Sequence, residues 1–256
     1  MRSTRSRPRA PGPRAPRNSR FAGTSSLSAL LALFALLLVA VPASSQLRPK
    51  LVAYLQVSVK SRALESALAK QMPSVDVVVC SRYRDFEREV AQAPDAVLTL
   101  QPVLQAHGLA VDLKGTRAGS DSEPYVLLSI GGTHDKSRFA KLSIGAVDLL
   151  GRERTAEFVA SLLGLKTAPP IKYVIKSEDL LPLLQFNSAE AVLLSEPEAM
   201  RIKSLSKLDL RITPLPTRVG LAAVSFRTEV GRRLIRRSVE TLDLETRRRL
   251  GVEAWQ

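Results

Sequence analysis

Few side chains of this sequence are suited to catalysis or to metal binding. The two histidines, His107 and His134, lie far apart in the chain, and neither belongs to a set of carboxylates and cysteines at metal-ligand spacing. The one cysteine, Cys80, follows an apolar run and is expected in the core. The motifs His-Glu-x-x-His, Gly-x-Ser-x-Gly and Gly-x-x-x-x-Gly-Lys-Ser/Thr are absent. We therefore predict that the protein is not an enzyme and holds neither a metal ion nor a cofactor.

Polar and aromatic side chains follow several predicted strands, which is where α/β proteins build their ligand sites. The candidate ligand-binding residues are Tyr54, Gln56, Ser81, Tyr83, Thr99, Gln101, Tyr125, Arg152, Thr155, Ser195 and Glu196. For each tyrosine the alternative is a packed aromatic ring with its hydroxyl at the surface. For Arg152 the alternative is a solvated loop charge, and for Glu196 an acid that stabilises a helix N-terminus.

The elements that would position these residues alternate between strands and helices. Leu51–Val57, Val75–Cys80 and Asp95–Leu100 are short apolar runs typical of strands covered on both faces. Helical spacing of apolar residues follows Ser61, and Arg82–Ala91 shows it again. Strand–helix–strand connections of this length predict right-handed crossovers and a parallel sheet.

The alternation restarts after a polar stretch at residues 115–124. The strands predicted from there on are Tyr125–Ile130, Lys141–Val147, Ile171–Ile175, Ala191–Leu194, Leu208–Ile212 and Val219–Phe226. Helices are predicted over Thr155–Leu163, from Ser177, and over Thr228–Leu242 and Leu244–Leu250. The pattern indicates two similar α/β units, with the second inserted into the first.

This organisation predicts a two-lobed α/β fold in which each lobe is a mixed sheet flanked by helices. Residues 46–130 and 217–256 are assigned to lobe 1, and residues 131–216 to lobe 2. The chain would cross between the lobes near 118–134 and 213–219, and these crossings would act as hinges.

The N-terminus has the pattern of a secretory signal peptide. Seven arginines and no acidic residue occur in residues 1–20, and Leu27–Val41 is an apolar run of 15 residues. Small residues end the run, and cleavage after Ala43 or after Ser45 fits equally well. The alternative is an uncleaved membrane anchor, because Phe21–Ala43 contains no charge and is long enough to provide the roughly 20 residues that span a bilayer. We predict a signal peptide over 1–45 and export to the periplasm.

The strongly basic composition is partly a property of this leader. The net charge of +14 falls to about +7 without the seven leader arginines, because all 24 acidic residues lie after them. An exported protein of this charge is not expected to bind nucleic acid. The mildly positive body favours anionic solutes or lipid surfaces.

An ordered series of segments resembles one family. The segments are Leu51-Val-Ala-Tyr54, Val75-Asp-Val-Val-Val79 with Ser81-Arg-Tyr83 and Phe86, Pro94-Asp-Ala-Val-Leu98, Glu123-Pro-Tyr-Val-Leu-Leu128, and Leu250-Gly-Val-Glu-Ala-Trp255. Over roughly residues 50–256 the chain resembles the type 2 periplasmic solute-binding proteins, in particular the phosphate/phosphite/phosphonate group of ABC-transporter binding components. The phosphonate-binding members have a Ser/Thr-Gly-rich turn, whereas the corresponding turn here, 148–155, contains one glycine and two leucines.

The resemblance implies a small, phosphate-like or phosphonate-like anionic ligand in an interlobe cleft. It further implies an ABC permease or another membrane partner, and a monomer. The alternative is a periplasmic ligand-sensing or partner-binding protein of the same fold that no longer serves transport.

Overall fold

A computed structural model describes residues 48–56 and 60–256, and the predicted signal peptide lies outside these residues. The strands are β1 Lys50–Tyr54, β2 Asp76–Cys80, β3 Ala96–Leu100, β4 Leu113–Thr116, β5 Ser122–Ile130, β6 Ile144–Val147, β7 Ile171–Val174, β8 Ala191–Ser195, β9 Leu210–Gly220, β10 Ala222–Phe226 and β11 Ala254–Trp255. The α-helices are α1 Ser61–Gln71, α2 Tyr83–Ala91, α3 Gln101–Ala106, α4 Arg152–Leu163, α5 Leu180–Gln185, α6 Glu196–Leu205, α7 Glu229–Glu240 and α8 Leu244–Arg249. Short 3₁₀ turns occupy Lys136–Lys141 and Ser177–Asp179.

Lobe 1 is built on a six-stranded mixed sheet in the order β11-β4-β10-β3-β1-β2. Strands β1, β2 and β3 are parallel, as their connecting helices require, whereas β10 is antiparallel to β3. Successive residues of β1 enter different clusters: Leu51 packs with α1 and α7, and Val52 packs with α2 and α3. The sheet is therefore covered on both faces, which explains why its strands lack polar alternation.

Lobe 2 is built on a five-stranded mixed sheet in the order β7-β6-β8-β5-β9. One face packs on α4 through Val159 and Leu162, and the other packs on α5 and α6 through Leu180 and Ile202. Strands β6, β7 and β8 are parallel, and β5 runs antiparallel to both of its neighbours.

The structure differs from the predicted lobe boundaries at both crossings. Strand β5 was assigned to lobe 1, but it pairs along its whole length with β9, from Ser122–Gly220 to Ile130–Leu210, inside the lobe 2 sheet. Strand β9 was predicted to end at residue 212, before two prolines, yet it continues to Gly220. A proline lacks the N–H of a sheet donor but is tolerated on an edge strand, and β9 is an edge strand of its sheet.

The two crossing segments lie side by side. Leu221 N donates to Asp121 O, and Gln101 Nε2 donates to the same carbonyl at 3.1 Å. Arg218 donates to Ser122 O and, at 3.1 Å, to Ser120 Oγ. The crossings are thus short and joined to each other by hydrogen bonds.

Candidate ligand-binding site

The strand ends of the two sheets face each other across a cavity of about 350 Å³. The carboxyl ends of β1 and β3 and the start of β10 contribute from lobe 1, and the ends of β6 and β8 contribute from lobe 2. The main apolar residues of the wall are Leu55, Leu100 and Leu221 from lobe 1, and Tyr125, Leu149, Phe158, Leu193 and Leu194 from lobe 2. The volume is at the small end of the ~300–1,000 Å³ range of ligand pockets.

A partly buried ion pair lies at the crossing side of this cavity. Arg117 Nη2 contacts Glu123 Oε2, and the Glu123 side chain is only 16% exposed. Burial raises the pKa of Glu123, and the Arg117 charge and a hydrogen bond from Ser195 offset that shift in part. Both partners line the cavity. The carboxylate is therefore already engaged by groups of the protein itself.

A second ion pair lies at the start of α6. Arg201 Nε donates to Glu198 Oε2 at 2.9 Å, and Arg201 Nη2 donates to Glu198 Oε1 at 2.6 Å. This fork-to-fork geometry satisfies both carboxylate oxygens. Arg249, which also lines the cavity, is paired with Glu245 within α8.

Beside the cavity, the two lobes pack directly on each other in what we call the packed end, formed by Tyr54, Tyr83 and Phe86 of lobe 1 with Leu149 and Leu150 of lobe 2. The rings of Tyr54 and Phe86 stack with centroids 5.0 Å apart. Both leucines are at least 94% buried. The apolar residues after β6 thus enter the core of the opposite lobe.

Hydrogen bonds hold the packed end in register. Tyr54 Oη donates to Asp148 O at 3.1 Å and accepts from Gln56 Nε2 at 2.9 Å. Burial raises the pKa of Tyr54 well above its ordinary value, so the phenol remains protonated and able to donate. Gly151 has a φ of +79°, and an added Cβ would lie 3.1 Å from the Tyr83 ring, so this turn suits glycine.

The structure brings some of the predicted site residues to the cavity. Gln56, Tyr125, Thr155 and Ser195 line it. Thr155 Oγ1 also accepts from Leu150 N at 2.9 Å and donates to Asp148 Oδ1 at 3.1 Å, which fixes the turn before α4.

Other predicted residues lie elsewhere. Thr99 is fully buried and donates to Tyr54 O at 2.6 Å. The side chains of Tyr83 and Arg152 border a separate groove of about 580 Å³ on the far side of the packed end. Gln101 is bound at the crossings, and Ser81 and Glu196 are exposed outside both cavities.

The charged residues of the cavity were not among the predicted ones. Arg117 and Glu123 precede or begin β5, and the prediction considered only residues that follow strands. An antiparallel strand begins at the edge where its parallel neighbours end, so its first residues join the same site. The polar stretch at residues 115–124 was the signal that could have located this ion pair.

Comparisons with known proteins bear on the fold. No protein-family model matches the sequence, and no curated protein matches it. An arginine-bound amino acid ABC transporter substrate-binding protein, AbpA from Streptococcus pneumoniae, is similar in structure with a TM-score of 0.54 at 15% identity, covering 79% of this chain and 91% of that chain. The GluR0 ligand-binding core from Nostoc punctiforme in complex with L-glutamate has a TM-score of 0.53 at 13% identity, covering 79% and 96%. The Bordetella pertussis BvgS VFT2 domain has a TM-score of 0.52 at 11% identity, covering 80% and 92%.

The chain has the two-lobed fold of the type 2 periplasmic solute-binding proteins, as these matches and the two mixed sheets establish. The predicted fold class is therefore confirmed. The finer assignment to the phosphate/phosphite/phosphonate group is not supported, because the ligands named in these similar structures are arginine and L-glutamate.

Within residues 48–56 and 60–256, no group of three or more His, Cys, Asp or Glu side chains is arranged to hold a metal ion. No helix in that part of the chain has the length and apolarity needed to cross a bilayer.

Proposed function

We propose that this protein captures a small-molecule solute in the cavity between its lobes. The observation that carries the proposal is the cavity of about 350 Å³ at the facing strand ends of two sheets, with walls from both lobes. Open α/β sheets bind ligands at that edge, where loops and helix starts supply specific contacts. The similar structures that contain arginine or glutamate support a ligand-binding function for this fold.

Amino acids are the first ligand class to test, because arginine and glutamate occupy two of the similar structures. Phosphate-like dianions are weaker candidates on physical grounds. Arg117 and Arg201, which line the cavity, are both engaged with carboxylates. Among the described lining residues a dianion would find one arginine outside these pairs, Arg248, and it would have to disrupt a pair to obtain a second counter-charge, which leaves a carboxylate unpaired.

Thermal unfolding of the purified protein against a panel of amino acids, carboxylates, phosphate and phosphonates tests the proposal. A ligand at a hundredfold excess over its dissociation constant stabilises the folded state by about 2.7 kcal/mol and raises the midpoint. In Ser195→Trp the indole would fill the cavity, so the shift should be lost, whereas it should persist in Ser81→Trp, which lies outside. A panel without any shift, or a shift retained in Ser195→Trp, would contradict the proposal.

A second candidate is a receptor that senses a ligand, or binds a partner, without serving transport. The packed end favours it, because Leu149 and Leu150 hold the lobes together by contacts within the protein. A transport receptor should bind an ABC permease more tightly when its solute is present. Ligand binding without any such permease would favour the sensing role.

We also propose that the chain is exported to the periplasm through the leader predicted at 1–45. The support is the sequence pattern of arginines, apolar run and small residues. Cell fractionation followed by N-terminal sequencing should recover a periplasmic protein that begins at Ser44 or Gln46. An intact N-terminus in the membrane fraction would instead establish the anchor.

A further inference from the structure

We propose that the ligand of the interlobe cavity is a small monocarboxylate with an apolar body, recognised without an ammonium group. This inference rests on the proposed solute-binding function and names the ligand class for the same cavity. It is carried by the distribution of apolar and charged side chains around the wall.

An apolar body is indicated by the wall of the cavity. Leu55, Leu100 and Leu221 lie on the lobe 1 side, and Tyr125 and Phe158 lie on the lobe 2 side. The last two rings form an edge-to-face pair with centroids 6.5 Å apart. A ligand that fills this space gains by removing apolar surface from water on both sides of the cleft, and an aromatic ring would extend the ring packing.

The absence of a free carboxylate among the described lining residues argues against recognition of an ammonium group. The lining acids are Glu123 and Glu198. Glu123 is paired with Arg117, and Glu198 has both oxygens bound by Arg201. An ammonium group in the cavity would have to compete with an arginine for its counter-charge, and the displaced arginine would lose its own.

Among the described lining residues, one positive charge is left for the ligand. Arg117, Arg201 and Arg249 are in ion pairs, whereas no ion pair of the described residues includes the fourth lining arginine, Arg248. Arg248 is an exposed residue of the wall, and we take its guanidinium to be the group that meets the ligand at the water-facing side of the cavity, the mouth. A carboxylate suits a guanidinium in charge and in planar geometry. The charges therefore complement one monoanionic group at the mouth, with the apolar part inside.

Matched compounds separate the contributions of the two charges. Isothermal titration with the purified protein would compare phenylalanine, 3-phenylpropionate and phenethylamine, which share a ring and differ in their charged groups. Leucine, 4-methylpentanoate and 3-methylbutylamine repeat the comparison with an aliphatic body, and arginine and glutamate represent the ligands of similar folds. We expect one of the two carboxylates to bind at least as tightly as its amino acid and at least tenfold more tightly than its amine.

Substitution of Arg248 tests whether its guanidinium binds the carboxylate of the ligand. Arg248→Gln should weaken carboxylate binding at least fivefold, whereas Arg233→Gln, a matched loss of an exposed arginine on α7, should leave it within twofold. Tighter binding of an amino acid than of its deaminated carboxylate, or of arginine or glutamate than of either carboxylate, would overturn this inference and leave the proposed function standing. Failure of the whole compound panel in a cooperatively folded protein would overturn both. Equal effects of the two arginine variants on carboxylate binding would show that Arg248 does not contact the ligand.

Discussion

The two parts of the interlobe contact are built from different chemistry. At the packed end, Leu149 and Leu150 enter an aromatic cluster of lobe 1 and are almost fully buried. At the cavity, the lobes remain apart, and the lining acids and most of the lining arginines are joined in ion pairs. The packed end can therefore hold the lobes together by burying apolar surface, while the cavity keeps space for a ligand. The cavity and the lobe contact are therefore built from separate sets of interactions.

Truncating a leucine of the packed end is the strongest way to test that separation. Leu150→Ala should lower the free energy of unfolding by about 2–5 kcal/mol, because it removes buried methyl groups and leaves a cavity. Leu100→Ala, at a half-buried position that already borders the cavity, should cost clearly less. Urea denaturation followed by circular dichroism measures both. Equal losses would show that the packed end contributes no more to stability than the cavity wall does.

Removing the hydroxyl of Tyr54 is a milder perturbation of the same end. Tyr54→Phe deletes the donor to Asp148 O and the acceptor for Gln56, so we expect a loss of about 1 kcal/mol. Tyr173→Phe is the control, since its hydroxyl donates to Arg152 O at 2.8 Å on the surface and should matter by less than about 0.5 kcal/mol. A larger loss from the control would contradict a structural role for the Tyr54 bond.

The pH dependence of stability should differ in sign between the two regions. His107 contacts the Tyr83 hydroxyl at 3.1 Å, and burial lowers its pKa, with a further lowering by Arg154 and an opposing effect of Glu87. The unfolded chain then binds the proton more tightly, so this contribution to stability is lost as the pH falls below 6.5. At the cavity, the raised pKa of Glu123 makes the folded state bind the proton more tightly. That contribution is lost as the pH rises from 4.5 through the raised pKa.

Single variants separate these two opposite dependences of stability on pH. Thermal unfolding between pH 4 and pH 8 would be measured for the native protein, His107→Gln and Glu123→Gln. The difference between the native protein and His107→Gln should grow in favour of the native protein as the pH rises through the imidazole range. The difference from Glu123→Gln should move in the other direction above pH 4.5. Parallel curves for all three proteins would mean that neither environment shifts its group.

Much of the architecture followed from local sequence patterns, because strand and helix periodicity are properties of neighbouring residues. The strands predicted at Val75–Cys80 and Ala191–Leu194 agree with β2 and β8 to within one residue. The assignment of β5 to lobe 1 was wrong, since the choice of sheet depends on pairing with β9 about ninety residues further along the chain. The continuation of β9 through two prolines was missed because only its edge position makes those prolines acceptable.

The sequence predicted only some of the residues that line the cavity, for a related reason. A rule based on the ends of parallel strands found Gln56 and Ser195, which line the cavity. It could not find Arg117 and Glu123, since they lie before and at the start of β5, which is an antiparallel strand. The tyrosines lie in different environments: Tyr125 lines the cavity, whereas Tyr54 is a packed ring whose hydroxyl is hydrogen-bonded inside the protein.

By itself, the sequence determined that this chain forms two alternating α/β units, because that information lies in local periodicity and in the residues that start and end helices. Only the tertiary structure decided which charges are free and which are neutralised. The burial of Leu150 in one cluster with Phe86, and the hydrogen bond from the Tyr54 hydroxyl to Asp148 O, join elements whose relative positions no local pattern specifies. A ligand site is made of such long-range juxtapositions, so its chemistry appears only when the two sheets are brought face to face.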